Sequence, residues 1–343
     1  MLNSQQIIAR CGTGVNLGEV FERNDLPRDA SFVSLMLAAF AKKGFKSVRI
    51  PVTWYPDDGT KCMLDDATFM GQVDNAVYYS VSLGMCVVLD LHFEHWLLDH
   101  YDGTETYNGK FYQLWQRIVN RYKGIAQENL IYEILNEPVN LFGDWSIGNC
   151  NNLQCIQFTK TINEKGYWAI RNIEPNRTIM LPSNAAQCYS QAGALYKVKT
   201  DLPGGGNDKN LIIAVHDYEM AAFCLEWGSN DFYNKQQNPF GSQQNDITKY
   251  MTYMKNWQNQ MGGPSVIGVA ITEFGIGDSG TSNRRNCDLC RTWYRQVAKG
   301  ARDNGFLAMI WNDCGWFKVC ERPDSNGNVV WVDGLVDCAL GIA

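Results

Sequence analysis

Runs of apolar residues alternate with amphipathic segments along almost the whole chain. The apolar runs are short and nearly continuous, as in Cys86–Leu89 and Leu211–Val215. Such runs are typical of parallel strands that are covered on both faces of a sheet. We predict eight strands, at Gly14–Val20, Ser47–Trp54, Met85–His92, Leu130–Asn136, Thr178–Pro182, Leu211–Tyr218, Val266–Phe274 and Phe306–Asn312.

The segments between these strands have helical periodicity. They cover Asp29–Lys43, Asp65–Leu83, Gly109–Tyr122, Gln154–Ile173, Gln187–Val198, Asp246–Met261 and Asn286–Asn304. Repeated units of a strand followed by a helix predict an α/β protein, a (β/α)8 TIM barrel. The last helix is hard to recognise, and we expect its remnant at Leu335–Ala343. Barrels of this length fold as one unit, so we predict a single domain spanning residues 1–343.

Composition and charge narrow the class of function. Hydrophobic residues make up 45% of the chain and charged residues 19%, as in an ordinary globular protein. The net charge of −6 argues against a nucleic-acid partner, which calls for a clustered basic surface. No apolar run approaches the ~18 residues of a membrane span, so we expect no membrane partner. Part of the high Trp and Tyr content favours stacking against flat ligands such as sugar rings, and the rest is expected in the core.

The cysteine content predicts the compartment. Twelve cysteines are many for a reducing environment, and they indicate a secreted protein with disulfide bonds. Cys150 with Cys155, and Cys314 with Cys320, are close enough in sequence to close small loops. No signal peptide is visible at the polar start of the chain, so we expect that one has been removed. Asn176 begins an acceptor sequence for N-glycosylation.

Polar residues recur where six of the predicted strands end. The carboxyl ends of barrel strands meet at one rim, and that rim holds the active site. Burying polar groups is costly, so their concentration at one rim indicates a site and not chance. The candidates are Arg49, Asp90, His92, Asn136, Glu137, His216, Tyr218, Glu273 and Trp311. Of these, Asp90 is expected to bond backbone beneath the site.

Two of these residues, Glu137 and Glu273, are carboxylates on different strands. Glycoside hydrolysis needs such a pair, because one group donates a proton to the leaving oxygen while the other attacks the sugar carbon. Glu133 lies four residues before Glu137 and is expected to face the barrel interior or its opposite end.

The order of these motifs resembles glycoside hydrolase family 5, a large family of cellulases and mannanases, from about Gly14 to Asn312. The matching motifs are Arg-Ile-Pro at 49–51, Asp-x-His at 90–92, Asn-Glu-Pro at 136–138, His-x-Tyr at 216–218 and Thr-Glu-Phe-Gly at 272–275. The chain departs from the family at Phe93, where many members carry a second His, and at Phe21, where the family has Trp.

The resemblance implies a role for each catalytic residue. Glu137 is expected to be the general acid/base, and Glu273 the nucleophile of a retaining mechanism with the two carboxyls about 5 Å apart. Arg49 and Tyr218 would hold Glu273 in its charged form and lower its pKa.

The remaining rim residues are expected to bind substrate. By the same resemblance, Asn136 would hydrogen-bond the 2-hydroxyl of the sugar in the −1 subsite. His216 would lie beside the acid/base and His92 beside the sugar, and Trp311 would form the platform under that sugar.

The resemblance favours an endo-β-1,4-glucanase, a cellulase acting on cellulose or another β-1,4-glucan. Nothing in the sequence suggests an oligomer, so we expect a monomer. An endo-β-1,4-mannanase is the nearest alternative, and a xyloglucanase or broad-specificity β-glucanase is another. Tryptophans in the loops after the strands are candidate sugar platforms, namely Trp54, Trp96, Trp145, Trp227 and Trp316.

Other classes of protein are disfavoured. A non-catalytic carbohydrate-binding barrel would be expected to lack one of the two glutamates. No cofactor is implied, because proton transfer and covalent attack need only carboxyls. A zinc site at Cys287 and Cys290 lacks a second pair of ligands. A metal-dependent hydrolase would use the four histidines, which are His92, His95, His100 and His216, and insensitivity to a chelator would remove that alternative.

Overall fold

Eight parallel strands pair in chain order and close into a barrel. This is seen in a computed structural model that describes residues 2–23, 26–56, 59–219, 221–225, 244–278, 285–332 and 334–342. The strands are β1 (Thr13–Asn16), β2 (Ser47–Ile50), β3 (Cys86–Asp90), β4 (Leu130–Glu133), β5 (Thr178–Pro182), β6 (Leu211–Asp217), β7 (Gly268–Phe274) and β8 (Leu307–Ile310). The predicted (β/α)8 barrel is confirmed.

Helices surround the barrel in the described part of the chain. They are α1 (Ser4–Cys11), α2 (Ala30–Lys43), α3 (Ala67–Ser82), α4 (His95–Leu98), α5 (Glu105–Tyr122), α6 (Leu153–Arg171), α7 (Ala192–Leu195), α8 (Ala221–Cys224), α9 (Gln244–Gln260), α10 (Asp288–Asn304) and α11 (Leu335–Leu340). Short 3-10 turns lie at Met63–Asp65, Gln127–Asn129, Asn140–Phe142, Tyr189–Gln191, Lys199–Asp201 and Pro203–Gly206. The remnant helix expected after residue 334 is present as α11.

Polar side chains fix where several helices begin. Asp29 caps α2 by accepting a hydrogen bond from the backbone N–H of Phe32 at 3.0 Å. Asp66 caps α3 in the same way, through the N–H groups of Thr68 and Phe69. These caps satisfy backbone donors that the first helical turn leaves unpaired. Both helices therefore have a defined first residue.

The helix predicted at Gln187–Val198 is not formed. The structure replaces it with a left-handed turn at Asn184–Gln187, a 3-10 turn and the single helical turn α7. The apolar spacing of this segment suggested a helix, but Gln187 is buried by hydrogen bonds to residues distant in sequence and not by a helical face. Periodicity alone does not register such contacts.

Helix α1, which the sequence patterns did not predict, closes the amino-terminal end of the barrel. Ile7 and Ile8 are buried against inward-facing residues of the barrel, among them Val88, Ile131 and Met309. The much larger second cluster of buried residues fills the space between strands and helices. One end of the barrel is therefore sealed by apolar packing, which leaves the other end for polar residues.

All twelve cysteines carry free thiols in this structure. The side chains of Cys314 and Cys320, one of the two predicted pairs, are in hydrogen-bond contact. The disulfides expected from the sequence stay a prediction. No helix within the described ranges is both long enough and apolar enough to cross a bilayer.

Candidate active site

Glu137 and Glu273 come together at the open, carboxyl-terminal rim of the barrel. Glu273 lies within β7, next to a shift in the strand register, while Glu137 lies four residues beyond the end of β4 and has a positive φ of 39°. His216 lies between them, with its Nδ1 3.0 Å from Glu137 Oε1 and 3.6 Å from Glu273 Oε2. Oxygens of the two carboxyls lie within 4.8 Å of each other. This falls short of the ~6.5 Å at which an attacking water would fit between them.

Arg49 is the centre of the charge network below these acids. Its side chain is fully buried, and its Nη1 donates to Glu273 Oε1 at 2.7 Å. Its Nε donates to Glu133 Oε2 at 2.6 Å, and its Nη2 forms an ion pair with Asp90. A planar guanidinium with five fixed donors can hold three carboxylates at once. The prediction that Arg49 contacts Glu273 is confirmed.

Glu133 and Asp90 belong to the same charge network as Arg49. Glu133 faces the barrel interior, which is one of the two orientations expected for it. It binds Arg49 through both carboxylate oxygens. Asp90 accepts from the backbone N–H of Val52 at 3.3 Å, as predicted, and contacts His92 Nδ1 at 3.2 Å. Their link to Arg49 was not predicted, because it depends on which strands are neighbours across the barrel.

Tyr218 and Asn136 lie where the family resemblance implies. Tyr218 donates its hydroxyl to Glu273 Oε2 at 3.1 Å. Asn136 is buried, and its Oδ1 accepts from Arg49 Nη2 at 2.8 Å. Because a guanidinium only donates, this bond fixes the amide orientation and leaves Nδ2 as the group that can serve a ligand.

His92 and Trp311 form a stacked pair at the side of the acids. Their rings lie 5.8 Å apart between centroids and 13° from parallel. The ring of Phe93, the residue that replaces a second His, packs edge-on against His92 at 4.4 Å. The guanidinium of Arg23 lies over the other side of Phe93 at 4.7 Å. The departure at Phe93 therefore adds an apolar wall to the cleft.

A glycine allows Trp311 to reach its position. A Cβ at Gly18 would come within 2.9 Å of the Trp311 ring and of the backbone oxygen of Asn312. Since real Cβ atoms do not approach this closely, the loop after β1 touches Trp311 only because residue 18 has no side chain.

Burial raises the pKa of both acids. For Glu137, burial is only partly offset by His92 and Arg49, and for Glu273 by His216 and Arg49. Arg49 lowers the pKa of Glu273, as expected, but burial outweighs this effect and the net shift is upward. Burial also lowers the pKa of His216 to about 4, so the imidazole between the two acids is neutral at neutral pH.

The acids open into a cleft of about 550 Å³. Its wall includes His92, Phe93, Tyr218, Trp311, Trp316, Phe317, Arg23 and Arg322. Among the candidate sugar platforms, Trp316 lines this cleft and is 40% exposed. Trp145 is exposed but lies outside the cleft wall, and Trp227 lies outside the described residues.

Two of the candidate platforms are structural residues. Trp54 and Trp96 are buried, so neither can stack against a sugar. Their indole N–H groups donate to the backbone oxygen of Asp90 at 3.1 Å and to the carboxylate of Glu94 at 2.5 Å. They were mistaken for platforms because their loops lie on the catalytic side, while their burial depends on contacts distant in sequence.

The other histidines do not join the site. His95 is exposed on α4 beside Asp99, and His100 follows it on the surface. In the described part of the chain, the cluster with metal-ligand spacing consists of Glu137, His216 and Glu273 themselves.

Sequence reasoning missed several residues that hold the site together. They are Asn16, Thr272 and Gln187. Asn16 fixes Arg49 Nη1 at 3.0 Å and donates to the backbone oxygens of Thr272 and Ile310. A buried Asn at the end of a strand is a signal that would have identified Asn16, since such a group must be hydrogen-bonded. No comparable signal exists for Gln187.

Two of the curated relatives carry the name endoglucanase and come from bacteria. Endoglucanase B of Clostridium cellulovorans is 27% identical over 342 residues, which cover 92% of this chain and 69% of that protein. Endoglucanase H of Acetivibrio thermocellus is 24% identical over 317 residues. This match covers 90% of this chain but 30% of that protein, so the chain spans less than a third of its length.

The fold has close counterparts among solved structures. A GH5-4 broad specificity endoglucanase from Ruminococcus champanellensis, with bound cellotriose, superposes with a TM-score of 0.78 and 20% identity. The superposition covers 99% of this chain and 98% of that one. Residues 31–315 match the sequence model described as Cellulase (glycosyl hydrolase family 5), and with the two acids facing each other at the rim, the chain belongs to this family.

Proposed function

We propose that the chain is a retaining endo-β-1,4-glucanase that cleaves internal bonds of cellulose or a related β-glucan. The observation that carries this proposal is the approach of the Glu137 and Glu273 carboxyls to within 4.8 Å, beside a neutral His216. A separation this short suits direct attack by one carboxylate on the sugar, which inverting enzymes with wider spacing do not use.

In the first step, Glu273 attacks the anomeric carbon while Glu137 protonates the departing oxygen. Arg49 and Tyr218 hold Glu273 by two hydrogen bonds, so its charge is directed at the reacting carbon. A covalent glycosyl-enzyme forms and the shortened polysaccharide leaves. In the second step, Glu137 removes a proton from water, which attacks the same carbon and releases Glu273.

His216 supports the change of role at Glu137. Its Nδ1–H can donate to Glu137 once that carboxyl has lost its proton, while the protonated carboxyl can donate to the same nitrogen. One neighbour therefore accommodates both states of the acid/base. Glu137 is also the more exposed of the two, with a third of its side chain open to the cleft, as exchange with water requires.

Support for the substrate comes from the cleft and the relatives. Trp311 and Trp316 line the cleft, and the exposed ring of Trp316 supplies a flat surface that suits a sugar ring. The 27% identical relative carries the name endoglucanase. A mannanase would keep the same acids and differ at the contacts to the 2-hydroxyl, near Asn136. The single domain, the monomeric state and secretion remain predictions of the same proposal.

The test is reducing-sugar release from carboxymethyl-cellulose, mannan, xyloglucan, lichenan and xylan. We expect fast release from the cellulose derivative with an early fall in viscosity, and retention of the β-anomer in the first products by NMR. Glu273→Gln should lose activity by on the order of 10⁴-fold or more. Glu105→Gln, which changes an exposed carboxyl on α5, should retain full activity.

Other outcomes separate the alternatives. Release from mannan alone would keep the mechanism and change the substrate. An inactive wild type that still binds these polymers would support a non-catalytic binding barrel. Loss of activity in EDTA, restored by a divalent cation, would support the metal-dependent alternative, whereas we expect no effect of the chelator.

A further inference from the structure

The chain takes an unusual path directly after β5. Ala185, Ala186 and Gln187 have φ values of 53°, 57° and 53°, so three successive non-glycine residues are left-handed. Each such residue costs free energy, on the order of 1 kcal/mol, and persists only where the surroundings enforce it. The turn ends with the Gln187 side chain fully buried beneath the rim.

Both ends of the Gln187 amide bind residues of the catalytic network. Its Oε1 accepts from the backbone N–H of Glu137 at 2.8 Å. Its Nε2 donates to Glu133 Oε1 at 3.0 Å and to Thr272 Oγ1 at 3.3 Å. The amide orientation follows from the partners, since a backbone N–H can only donate and a carboxylate can only accept.

A second bond ties the same turn to the acid/base segment. The backbone N–H of Ala186 donates to the carbonyl oxygen of Pro138 at 3.3 Å. The turn therefore contacts the backbone at Glu137 and at the residue after it. Glu137 itself has a positive φ of 39°, a conformation that this segment would leave if its bonds were lost.

We infer that Gln187 is the positioning residue of the acid/base. It fixes the backbone from which the Glu137 side chain projects, and it couples that backbone through Glu133 to Arg49 and the nucleophile. The inference rests on the roles proposed above for Glu137 and Glu273. Its specific consequence is that loss of the amide impairs proton transfer at Glu137 and leaves the attack by Glu273 largely intact.

Gln187→Met tests this, because methionine keeps the length of the side chain and removes all three hydrogen bonds of the amide. The readout is kcat/KM for a series of aryl β-cellobiosides whose leaving phenols differ in pKa. A misplaced acid should lower kcat/KM by about 10²-fold for a leaving group that needs a proton, such as phenol. With 2,4-dinitrophenol, which leaves without a proton, we expect a change of less than about threefold.

Azide provides a second readout of the same variant. Azide attacks a glycosyl-enzyme as an anion and needs no general base, whereas water needs one. With the 2,4-dinitrophenyl substrate, azide should therefore accelerate turnover of Gln187→Met and yield β-cellobiosyl azide. The wild type should show little acceleration. A variant that merely binds substrate less well would not respond.

Gln191→Met is the matched control. Gln191 is also buried and lies in the same loop, but its Nε2 bonds to Asn151 at 3.3 Å, away from the acids. We expect its dependence on leaving-group pKa to match that of the wild type. An equal loss across the whole series in Gln187→Met, or no loss, would overturn the inference.

Two further variants keep the test decisive. If Gln187→Met does not fold, Gln187→Glu replaces it, because its carboxyl can still accept from Glu137 and can donate to Glu133 only when protonated. Its activity should then shift to lower pH than that of the wild type, and an unshifted profile would contradict the inference. Glu137→Gln run in the same series should steepen the dependence on leaving-group pKa. If Glu137→Gln does not steepen this dependence, the proposed function fails. If Glu137→Gln steepens it but Gln187→Met depends on leaving-group pKa as the wild type does, only the inference about Gln187 fails.

Discussion

At the scale of single residues, the site depends on one buried cation held among three acids. Arg49 contacts Asp90, Glu133 and Glu273, and such a cluster is stable only when every member is paired. Removing Arg49 would leave three acids together in the barrel interior without a cation. The network therefore orients the nucleophile, and it is a poor source of net stability.

Asp217 is a buried acid outside the Arg49 network. It has no role in the proposed chemistry, and we expect it to limit the stability of the fold. Asp217 follows His216, is almost fully buried, and has an Oδ2 without a hydrogen-bond partner among the described residues. Burial raises its pKa to about 7, from 3.8. Between these pH values the folded state holds a proton that the unfolded state has released, so stability falls as pH rises.

Asp217→Asn should abolish that part of the pH dependence. The variant is expected to match the wild type near pH 4 and to exceed it at pH 8 by up to about 4 kcal/mol in free energy of unfolding. Urea denaturation at both pH values measures this. Asp303→Asn, on an exposed surface of α10, serves as the control and should change little. An equal difference at the two pH values would contradict the account.

At the scale of elements, the loop after β1 and the loop after β8 are interlocked at Gly18. The Gly18 N–H donates to the Asn312 carbonyl at 3.0 Å, next to the point where a Cβ would strike Trp311. The position of Trp311, the proposed sugar platform, thus depends on a backbone contact made from the loop after another strand.

Gly18→Ala should therefore displace Trp311. We expect a loss of about 1–3 kcal/mol in stability, from overpacking, together with a rise in KM. Gly71→Ala is the control, because Gly71 lies on an exposed face of α3 with no atom within 4 Å of an added Cβ. That variant should gain up to about 1 kcal/mol from helix propensity and keep its KM. A Gly18→Ala enzyme with unchanged KM would show that the contact does not position the tryptophan.

The elements also show where sequence reasoning succeeds and fails. All eight strands were predicted, because continuous apolar runs are a local signal that a buried parallel sheet imposes. Strand ends were placed too late, as at β4, which ends at Glu133 and not at Asn136. Glu137 and Glu273, the proposed catalytic acids, lie in motifs that can be recognised in the sequence. Gln187 was assigned to a helix because its contacts are with residues 50 and 54 positions away.

At the scale of the whole molecule, the two ends of the barrel have separate tasks. The carboxyl-terminal rim holds buried charges at a cost to stability, and the amino-terminal end is closed by the apolar face of α1. Ile7 and Ile8 supply that face, and the backbone N–H of Ser4 donates to Lys209 at 2.9 Å. We therefore expect stability and activity to respond to changes at different ends.

Ile7→Ala tests that separation. Removal of a fully buried side chain should cost about 2–4 kcal/mol in free energy of unfolding. Activity measured well below the melting temperature should stay unchanged, because the described site residues lie at the opposite end of the barrel from Ile7. Arg10→Ala, on the exposed face of the same helix, should stay within about 0.5 kcal/mol of the wild type. A folded Ile7→Ala enzyme with reduced kcat would show that the two ends are coupled.

The closed amino-terminal end of the barrel is also the better side for attaching the enzyme to a support. Leu2 lies beside Gln127 beneath the barrel, and α11 near the other terminus packs against the end of α2 through Lys43 and Asp337. Both attachment points therefore lie on the face opposite the cleft. A bead, an electrode or an anchoring module joined at Leu2 or at α11 would leave the cleft pointing outward, where an insoluble fibre can reach it.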